Sequence, residues 1–197
     1  MIKRIFDLIF SFLGIVLLLI PGFVIALLIL FDSKGGIFYR QIRVGKNQKL
    51  FGIYKFRTMT LSSDSKGLLT VGNRDHRITR IGYFLRKYKI DELPQLFNVF
   101  FGSMSFVGPR PEVEKYVALY SDLQLQVLNV KPGLTDYASL EYIDENELLS
   151  QSDNPEKTYI EQIMPKKIEL ALMYVNQQSL QLDISILIRT FIKIIKR

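Results

Sequence analysis

The chain has 197 residues, 48% of them hydrophobic, and a formal net charge of +7 at neutral pH. Its length is typical of one domain, and the absence of cysteine excludes disulfides and thiolate metal sites. A single histidine, His76, argues against a His-based metal site or a Ser-His-Asp triad, and we expect it to lie in a loop. The positive charge favours an anionic partner, a class that includes nucleic acid, lipid head groups and phosphorylated substrates.

A long apolar segment opens the chain. Between Ile5 and Phe31 the one charged residue is Asp7, and a bilayer-spanning helix needs about 20 apolar residues. The segment is too long for a secretory signal peptide, and no small-residue cleavage site follows it. Pro21-Gly22 interrupts it, and a proline removes one backbone hydrogen bond and clashes with the carbonyl four residues back. Hydropathy alone therefore favours a single span, whereas the proline predicts a kink.

Basic residues flank this segment on both sides. Lys3 and Arg4 precede it, and residues 33–63 contain basic side chains but no acidic one. The positive-inside rule therefore places both flanks in the cytoplasm. A helix that enters the membrane, bends at Ile20-Pro21 and returns satisfies both flanks, whereas a straight span satisfies one.

The next segment predicts a β-hairpin over residues 35–59, because β-rich runs lie on either side of Gly45-Lys46-Asn47. Aromatic and basic residues are interleaved in it, which is also typical of nucleic-acid-binding surfaces. Beside a membrane segment, contact with lipid head groups is the simpler explanation. Residues 60–75 are polar and predict a mobile loop.

Helical spacing of apolar residues predicts several helices further along the chain. Thr79 is suited to cap the first, which we expect to run to about Lys87. A second is expected from Glu92 to Phe101, with Gly102 at its end. Further predictions are a helix that starts at Pro111, a turn at Lys131-Pro132-Gly133 and a helical stretch over residues 156–176, apart from Pro165.

The last residues, 179–197, predict a basic amphipathic helix, in which isoleucine, leucine and phenylalanine accompany four basic residues. This composition is typical of a helix that lies in a membrane interface. The alternative is a core helix with one solvated face. The whole pattern predicts an α/β, mostly helical fold with an apolar membrane segment over residues 1–33, followed by the hairpin and a cytoplasmic helical domain with interfacial amphipathic helices over residues 34–197.

KIDELPQLFNV, residues 89–99, contains two adjacent carboxylates, Asp91 and Glu92. As a helix N-cap, Asp91 would stabilise the helix by about 1 kcal/mol, and Pro94 is tolerated in a first turn. The alternative is a catalytic role, which the basic surroundings favour. Seven basic residues lie within about twenty positions: Arg74, Arg77, Arg80, Arg86, Lys87, Lys89 and Arg110. We expect them to lower the pKa of the carboxylates and, with a divalent cation, to bind a diphosphate, although most could equally be solvated surface residues.

Four motifs carry a family resemblance: YKFRTM (54–59), DELPQLFNV (from Asp91), MSFVGPRP (104–111) and KPGLT (131–135). In this order they resemble the bacterial sugar transferase family, specifically its small monotopic phosphoglycosyl transferases. The resemblance covers nearly the whole chain. It implies an enzyme that transfers a phosphosugar from a UDP-sugar to polyprenol phosphate and releases UMP, on the cytoplasmic face of the bacterial inner membrane, at the start of glycan assembly.

The same resemblance implies the site residues. Asp91 matches the nucleophile that forms a covalent phosphosugar intermediate, and Asp91 and Glu92 together would bind the required Mg²⁺. Arg57, Arg86 and Arg110 are implied to bind substrate phosphates. The partners implied are a UDP-sugar, polyprenol phosphate and membrane lipids, with no nucleic acid; a homo-oligomer is also compatible with the sequence.

The family's membrane segment is a re-entrant helix, so the resemblance implies that residues 1–33 form a re-entrant membrane helix broken near Pro21. Its membrane residues are Lys3, Arg4, Ile20 and Pro21. Two departures from the family pattern are visible: Ile20-Pro21 stands where members carry Ser-Pro, and Asp136-Tyr137 stands where many carry Gly-Trp. The second puts the sugar or nucleotide pocket in question.

The competing hypothesis is a non-catalytic, membrane-anchored basic module that binds anionic lipid or nucleic acid, but it does not explain the dyad, the Pro-Arg-Pro turn and KPGLT together. An inactive relative is disfavoured because both carboxylates are present.

Overall fold

A computed structural model of the chain describes residues 1–61, 72 and 75–196. Within these residues the fold is mostly helical, as predicted, with two small two-stranded sheets. Most of the predicted loop over residues 60–75 lies outside the described residues, and His76 lies in a turn. The elements are, in chain order, α1 (Ile2–Leu17), α2 (Leu19–Asp32), β1 (Phe38–Val44), β2 (Leu50–Phe56), α3 (Arg80–Lys87), α4 (Gln95–Phe101), β3 (Ser105–Val107), α5 (Glu114–Val117), α6 (Asp122–Leu125), β4 (Gly133–Thr135), α7 (Tyr137–Glu141), α8 (Glu145–Ser150), α9 (Pro155–Thr158), α10 (Met164–Gln177) and α11 (Leu180–Ile195).

The N-terminal apolar segment forms two helices that meet at Leu18. No single helix in the described residues has the length and apolar composition of a membrane span, but α1 and α2 together do, across a bend of 58°. The break lies three residues before Pro21, not at Ile20-Pro21 as predicted. The physical reason is that the proline ring opposes the carbonyl four residues back, which is that of Leu17, so the disturbance falls on the preceding turn.

Polar side chains of α1 attach it to the rest of the fold. The buried Asp7 carboxylate accepts hydrogen bonds from Ser105 Oγ and the Phe106 backbone N–H, both at 3.1 Å. Arg4 donates to the Val99 and Phe100 carbonyls at the end of α4, at 2.6 and 2.7 Å. Helix α1 is therefore fixed to α4 and β3 by hydrogen bonds as well as by apolar packing.

Lys3 makes a second attachment of α1, to the C-terminal helices. Its ammonium donates to the Val107 carbonyl at 3.0 Å, to the Tyr174 hydroxyl at 3.1 Å and to the Asp183 carboxylate. The membrane role of Lys3 and Arg4 stays a prediction. Their side chains are bonded within the protein, which a charge pattern in the sequence does not reveal.

The predicted hairpin is confirmed. Strands β1 and β2 pair antiparallel with Phe38 opposite Phe56 and Val44 opposite Leu50. Asn98 of α4 holds this hairpin from the side, because its amide accepts from the Tyr54 backbone N–H at 3.0 Å and donates to the Gly52 carbonyl at 2.7 Å. One side chain of α4 thus provides hydrogen-bond partners for two backbone groups of β2.

The helix predictions between residues 79 and 113 are confirmed in part. Thr79 caps α3 by accepting from the Gly82 N–H at 3.0 Å, and α4 ends at Gly102, whose φ is 88°. The helix predicted to start at Pro111 begins instead at Glu114. The segment before it stays extended because the Glu112 carbonyl accepts a hydrogen bond from the Val44 N–H at 2.8 Å.

Strands β3 and β4 pair in parallel, with Ser105 opposite Gly133. The two backbone segments approach closely at Gly108 and Gly133: a Cβ atom on Gly133 would lie 2.1 Å from the Gly108 backbone nitrogen. Only glycine leaves room for this contact. The pairing fixes the loop that carries Arg110.

The helical stretches predicted over residues 156–176 and 179–197 are confirmed. Residues 159–163 form a π-helical turn between α9 and α10, and Pro165 lies in the first turn of α10, where its missing N–H costs little. The interfacial position of α11 stays a prediction. Ile186 is fully buried, whereas Phe191 is 66% exposed on an apolar outer face.

Candidate active site

A cavity of about 1080 Å³ lies between the hairpin, the α3–α4 connection and helices α7, α8 and α10. Charged side chains form one group of its lining residues: Lys55, Arg86, Lys89, Asp91, Glu92 and Arg110. A second group from the later helices consists of Ser139, Tyr142, Glu145 and Lys167. The structure thus brings the predicted dyad together with Arg86 and Arg110, and Arg57 also lines this cavity.

Asp91 occupies a short 3₁₀ turn, residues 90–92, between α3 and α4. It does not cap a helix, contrary to the capping interpretation, because α4 begins at Gln95 with Pro94 as its N-cap residue. Asp91 is 6% exposed, and its Oδ1 atom has no hydrogen-bond partner in the described part of the chain. A buried acceptor without a partner costs free energy, so this oxygen is a candidate for binding or chemistry.

Glu92 has a different environment. Its Oε1 accepts from Lys55 Nζ at 2.9 Å, and its two oxygens accept from the two terminal nitrogens of Arg110, one of them at 3.2 Å. Burial raises the pKa of Glu92, but Arg110 and Lys55 outweigh it, so the pKa lies well below the usual range. Glu92 is therefore an ionised carboxylate that holds two cations beside Asp91.

The pKa of Asp91 is raised, which corrects the expectation that the basic surroundings would lower it. Burial is the main cause, and the negative charge of Glu92 adds to it. Lys55, Arg86 and Lys89 act in the opposite direction but do not overcome the burial. In the free protein the cations near Asp91 therefore do not offset the effect of burial on its pKa. An additional positive charge would favour the ionised carboxylate.

The three predicted arginines differ in their contacts. Arg110 binds Glu92. Arg86, half-buried on α3, lines the cavity, and its guanidinium makes no hydrogen bond or ion pair with any described residue. Arg57 lines the same cavity, but its guanidinium donates to Ser33 Oγ at 2.6 Å, to the Ser33 carbonyl at 2.8 Å and to the Gly36 carbonyl. Arg57 therefore caps the C-terminal end of α2, and its contact with phosphate stays a prediction.

Two site residues were not assigned from the sequence. In the sequence, Lys55 is one of the basic residues that follow the N-terminal apolar segment, and Lys89 is one of the basic residues around the dyad. The ion pair of Lys55 with Glu92 depends on the packing of β2 against α4, which no local pattern shows. For Lys89 a signal existed, because it lies two residues before Asp91.

Asp136, which belongs to the second departure from the family pattern, contacts the backbone of two cavity-lining residues. It is buried, caps α7 by accepting from the Ser139 N–H at 2.7 Å, and accepts from the Arg110 backbone N–H at 3.2 Å. It thus connects α7 to the loop that presents Arg110. Ser139 Oγ, which belongs to a cavity-lining residue, is buried without a hydrogen-bond partner among the described residues.

The donor set of the dyad fits a magnesium ion that is shared with a substrate. The described residues contain no group of three or more acidic, histidine or cysteine side chains that could hold a metal ion alone. Mg²⁺ usually keeps several waters and is bound by one or two carboxylates together with substrate phosphates. The unpartnered Asp91 oxygen, with Glu92 adjacent, meets this requirement.

Comparison with known proteins places the chain among sugar transferases. It is 37% identical over 195 residues to a UDP-glucose:undecaprenyl-phosphate glucose-1-phosphate transferase of Klebsiella pneumoniae. The aligned residues make up 97% of this chain and 39% of that protein. It is 36% identical over 168 residues to a UDP-N-acetylgalactosamine-undecaprenyl-phosphate N-acetylgalactosaminephosphotransferase of Aeromonas hydrophila, covering 84% of this chain and 37% of the relative. The chain therefore spans about two fifths of these relatives.

A third relative has a similar length. The chain is 38% identical over 204 residues to the exopolysaccharide production protein PSS of Rhizobium leguminosarum bv. phaseoli, with 100% of this chain and 96% of that protein covered. The model of the family described as bacterial sugar transferase matches residues 1–197. The chain therefore belongs to the bacterial sugar transferase family.

Proposed function

We propose that the chain is a phosphoglycosyl transferase that moves a phosphosugar from a UDP-sugar to polyprenol phosphate and releases UMP, as the first membrane step of bacterial glycan assembly. The observation that carries the proposal is the unpartnered, buried Asp91 oxygen beside Glu92, in a cavity lined by four cationic side chains near the dyad. The names of the two longer relatives, which act on undecaprenyl phosphate, support this substrate class.

In the proposed reaction Asp91 is the nucleophile. Its carboxylate oxygen attacks the phosphorus that carries the sugar, the P–O bond to UMP breaks, and the departing UMP oxygen takes the electron pair. The sugar phosphate is then joined to Asp91 as an acyl phosphate. A phosphate oxygen of the polyprenol phosphate attacks the same phosphorus, the bond to Asp91 breaks, and the carboxylate is regenerated. Two displacements thus replace one direct exchange between two anions.

The other residues of the site provide charge and position. Glu92 holds Lys55 and Arg110 in fixed places beside Asp91 through its hydrogen bonds. Their positive charge would stabilise the departing UMP oxygen as it takes the electron pair. Asp91 and Glu92 would hold Mg²⁺ together with the diphosphate, and the bound ion would supply further positive charge.

The N-terminal pair α1–α2 is proposed to enter the membrane from the cytoplasmic face of the bacterial inner membrane and to return. The 58° bend and the exposure of its apolar residues support this arrangement; Ile20 and Phe31 are 79% and 87% exposed. Together with the apolar outer face of α11, the pair would place the cavity beside the lipid head groups. Both phosphorylated substrates would meet there.

The test is an assay of UMP release by the purified protein with a panel of UDP-sugars, polyprenol phosphate and Mg²⁺. We expect release with at least one UDP-sugar, none with Asp91→Asn, and severe loss with Glu92→Gln. Asp153→Asn, the same change at an exposed aspartate, is the control and should retain full activity. Full activity of Asp91→Asn would disprove the assignment of the nucleophile. Vesicle binding without UMP release from any UDP-sugar would favour the non-catalytic basic module.

A further inference from the structure

Lys89 has an unusual backbone conformation next to the dyad. Its φ and ψ are 57° and 19°, in the left-handed region, and it connects α3 to the turn that carries Asp91. Residues other than glycine rarely adopt this conformation, because their Cβ atom crowds the backbone. Such positions are often found at functional sites. At this position the conformation is accompanied by a side chain that lines the cavity.

The other cations nearest Glu92 are already engaged. Lys55 and Arg110 donate hydrogen bonds to its two oxygens. Within the described part of the chain the Lys89 ammonium makes no hydrogen bond or ion pair, although its charge acts on Asp91 and Glu92. A partly buried ammonium group without an anionic partner is unfavourable unless a ligand provides one.

The charges around the dyad also indicate a missing anion. Four cationic side chains, Lys55, Arg86, Lys89 and Arg110, act on the two carboxylates, Asp91 and Glu92. Four positive and at most two negative charges leave a formal excess of at least two positive charges around the dyad. An ionised phosphate group has the opposite charge and can accept hydrogen bonds from an ammonium.

We propose that Lys89 binds a phosphate oxygen of the substrate, while Lys55 and Arg110 hold Glu92. This inference rests on the proposed function and adds a substrate-binding residue to it. Two phosphates reach the site in that reaction, the diphosphate of the donor and the phosphate of the lipid acceptor. Both present the same chemistry to Lys89, so the experiment must measure each substrate separately.

The experiment compares Lys89→Asn and Lys89→Arg with the wild-type protein. Asparagine tolerates the left-handed conformation and removes the charge, whereas arginine retains a cation. Lys166→Asn, the same change at an exposed lysine outside the cavity, is the control. For each protein, kcat/KM is measured for the UDP-sugar and for polyprenol phosphate, together with the midpoint of thermal unfolding.

We expect Lys89→Asn to lower kcat/KM for one of the two substrates by about tenfold to a hundredfold, the range of a lost hydrogen bond to a charged group. The substrate that is affected identifies the phosphate. Lys89→Arg should recover most of the loss, and neither the control nor the unfolding midpoints should change.

Wild-type values in Lys89→Asn would overturn the inference, as would a loss that Lys89→Arg does not recover. A lowered unfolding midpoint in Lys89→Asn that accounts for its loss of activity would indicate a structural role and would also overturn it. A wild-type protein that releases no UMP from any UDP-sugar disproves the proposed function itself. An active wild type with an equally active Lys89→Asn disproves only the role of Lys89.

Discussion

Asp91 and Glu92 are neighbours in the chain, yet their carboxylates have opposite electrostatic properties. Burial and the adjacent negative charge raise the pKa of Asp91, whereas Arg110 and Lys55 lower the pKa of Glu92 in spite of similar burial. The difference follows from hydrogen bonds: Glu92 accepts three from these two cations, and Asp91 Oδ1 accepts none from the described residues. One carboxylate organises the cations, and the other retains a free oxygen.

Glu92 gives a pH-dependent prediction. Because its pKa is lowered in the folded protein, its contribution to the free energy of unfolding is present above its unfolded pKa, about 4.3, and is lost as the pH falls through the folded value. We expect Glu92→Gln to lower the unfolding midpoint at neutral pH, and the difference from wild type to shrink as the pH falls below about 4. Glu156→Gln, in the exposed pair with Lys115, should differ little at either pH. Equal stability of Glu92→Gln and wild type at neutral pH would contradict the prediction.

The Lys3–Asp183 pair is expected to fix α1 to α11. Lys3→Met leaves the Asp183 carboxylate, 4% exposed, without its cation, which should cost about 3 kcal/mol. Replacing both residues, as Lys3→Met with Asp183→Leu, should recover part of that cost because no charge remains buried. Thermal unfolding in detergent measures both. Lys115→Met, at an exposed ion pair, should cost less than about 1 kcal/mol. A Lys3→Met protein as stable as this control would show that the pair contributes nothing.

Gly133→Ala tests the close approach of β3 and β4. The added Cβ would lie 2.1 Å from the Gly108 nitrogen and 2.4 Å from its carbonyl oxygen, both backbone atoms that cannot rotate away. We expect a loss of more than about 3 kcal/mol in the free energy of unfolding, or failure to accumulate. Gly36→Ala is the control, since the nearest atom would be 3.8 Å away. Comparable stability of the two variants would contradict the backbone contact.

Labelling of single cysteines tests the re-entrant arrangement, because the natural chain has no cysteine. We expect Ile2→Cys and Lys157→Cys to be protected from a membrane-impermeant reagent applied to intact cells, and to react after permeabilisation. Lys157 is exposed and would report the side of the membrane on which the helical domain lies. Reaction of position 2 alone in intact cells would show that the segment crosses the membrane.

Local patterns were sufficient for the elements that depend on neighbours in sequence. The hairpin follows from a turn between β-rich runs, and α3 follows from Thr79 and apolar spacing. Gly102 marks the end of α4 because its left-handed conformation is favourable for glycine. The dyad and Arg110 were found through the family motifs, and the structure brings them into contact.

Other features depend on residues far apart in the chain, and local patterns could not supply them. The capping interpretation of Asp91 was reasonable for an aspartate before a helical run, but Pro94 delays the start of α4. The contacts of Arg57 with the end of α2 depend on how the hairpin folds back against the N-terminal pair. The raised pKa of Asp91 depends on burial, which a count of nearby arginines does not measure.

Helix α4 lies between a contact of the N-terminal pair and the dyad. Arg4 of α1 binds the carbonyls at its last turn, and the dyad lies just before its first. Seven residues at 1.5 Å each give a length of about 10 Å, and the head-group layer on each side of the hydrocarbon is about 5–7 Å thick. If α1 and α2 are embedded as proposed, Asp91 and the phosphate of a lipid would differ in depth by no more than the length of α4, about 10 Å. The acceptor would then react while its hydrocarbon chain stays in the bilayer.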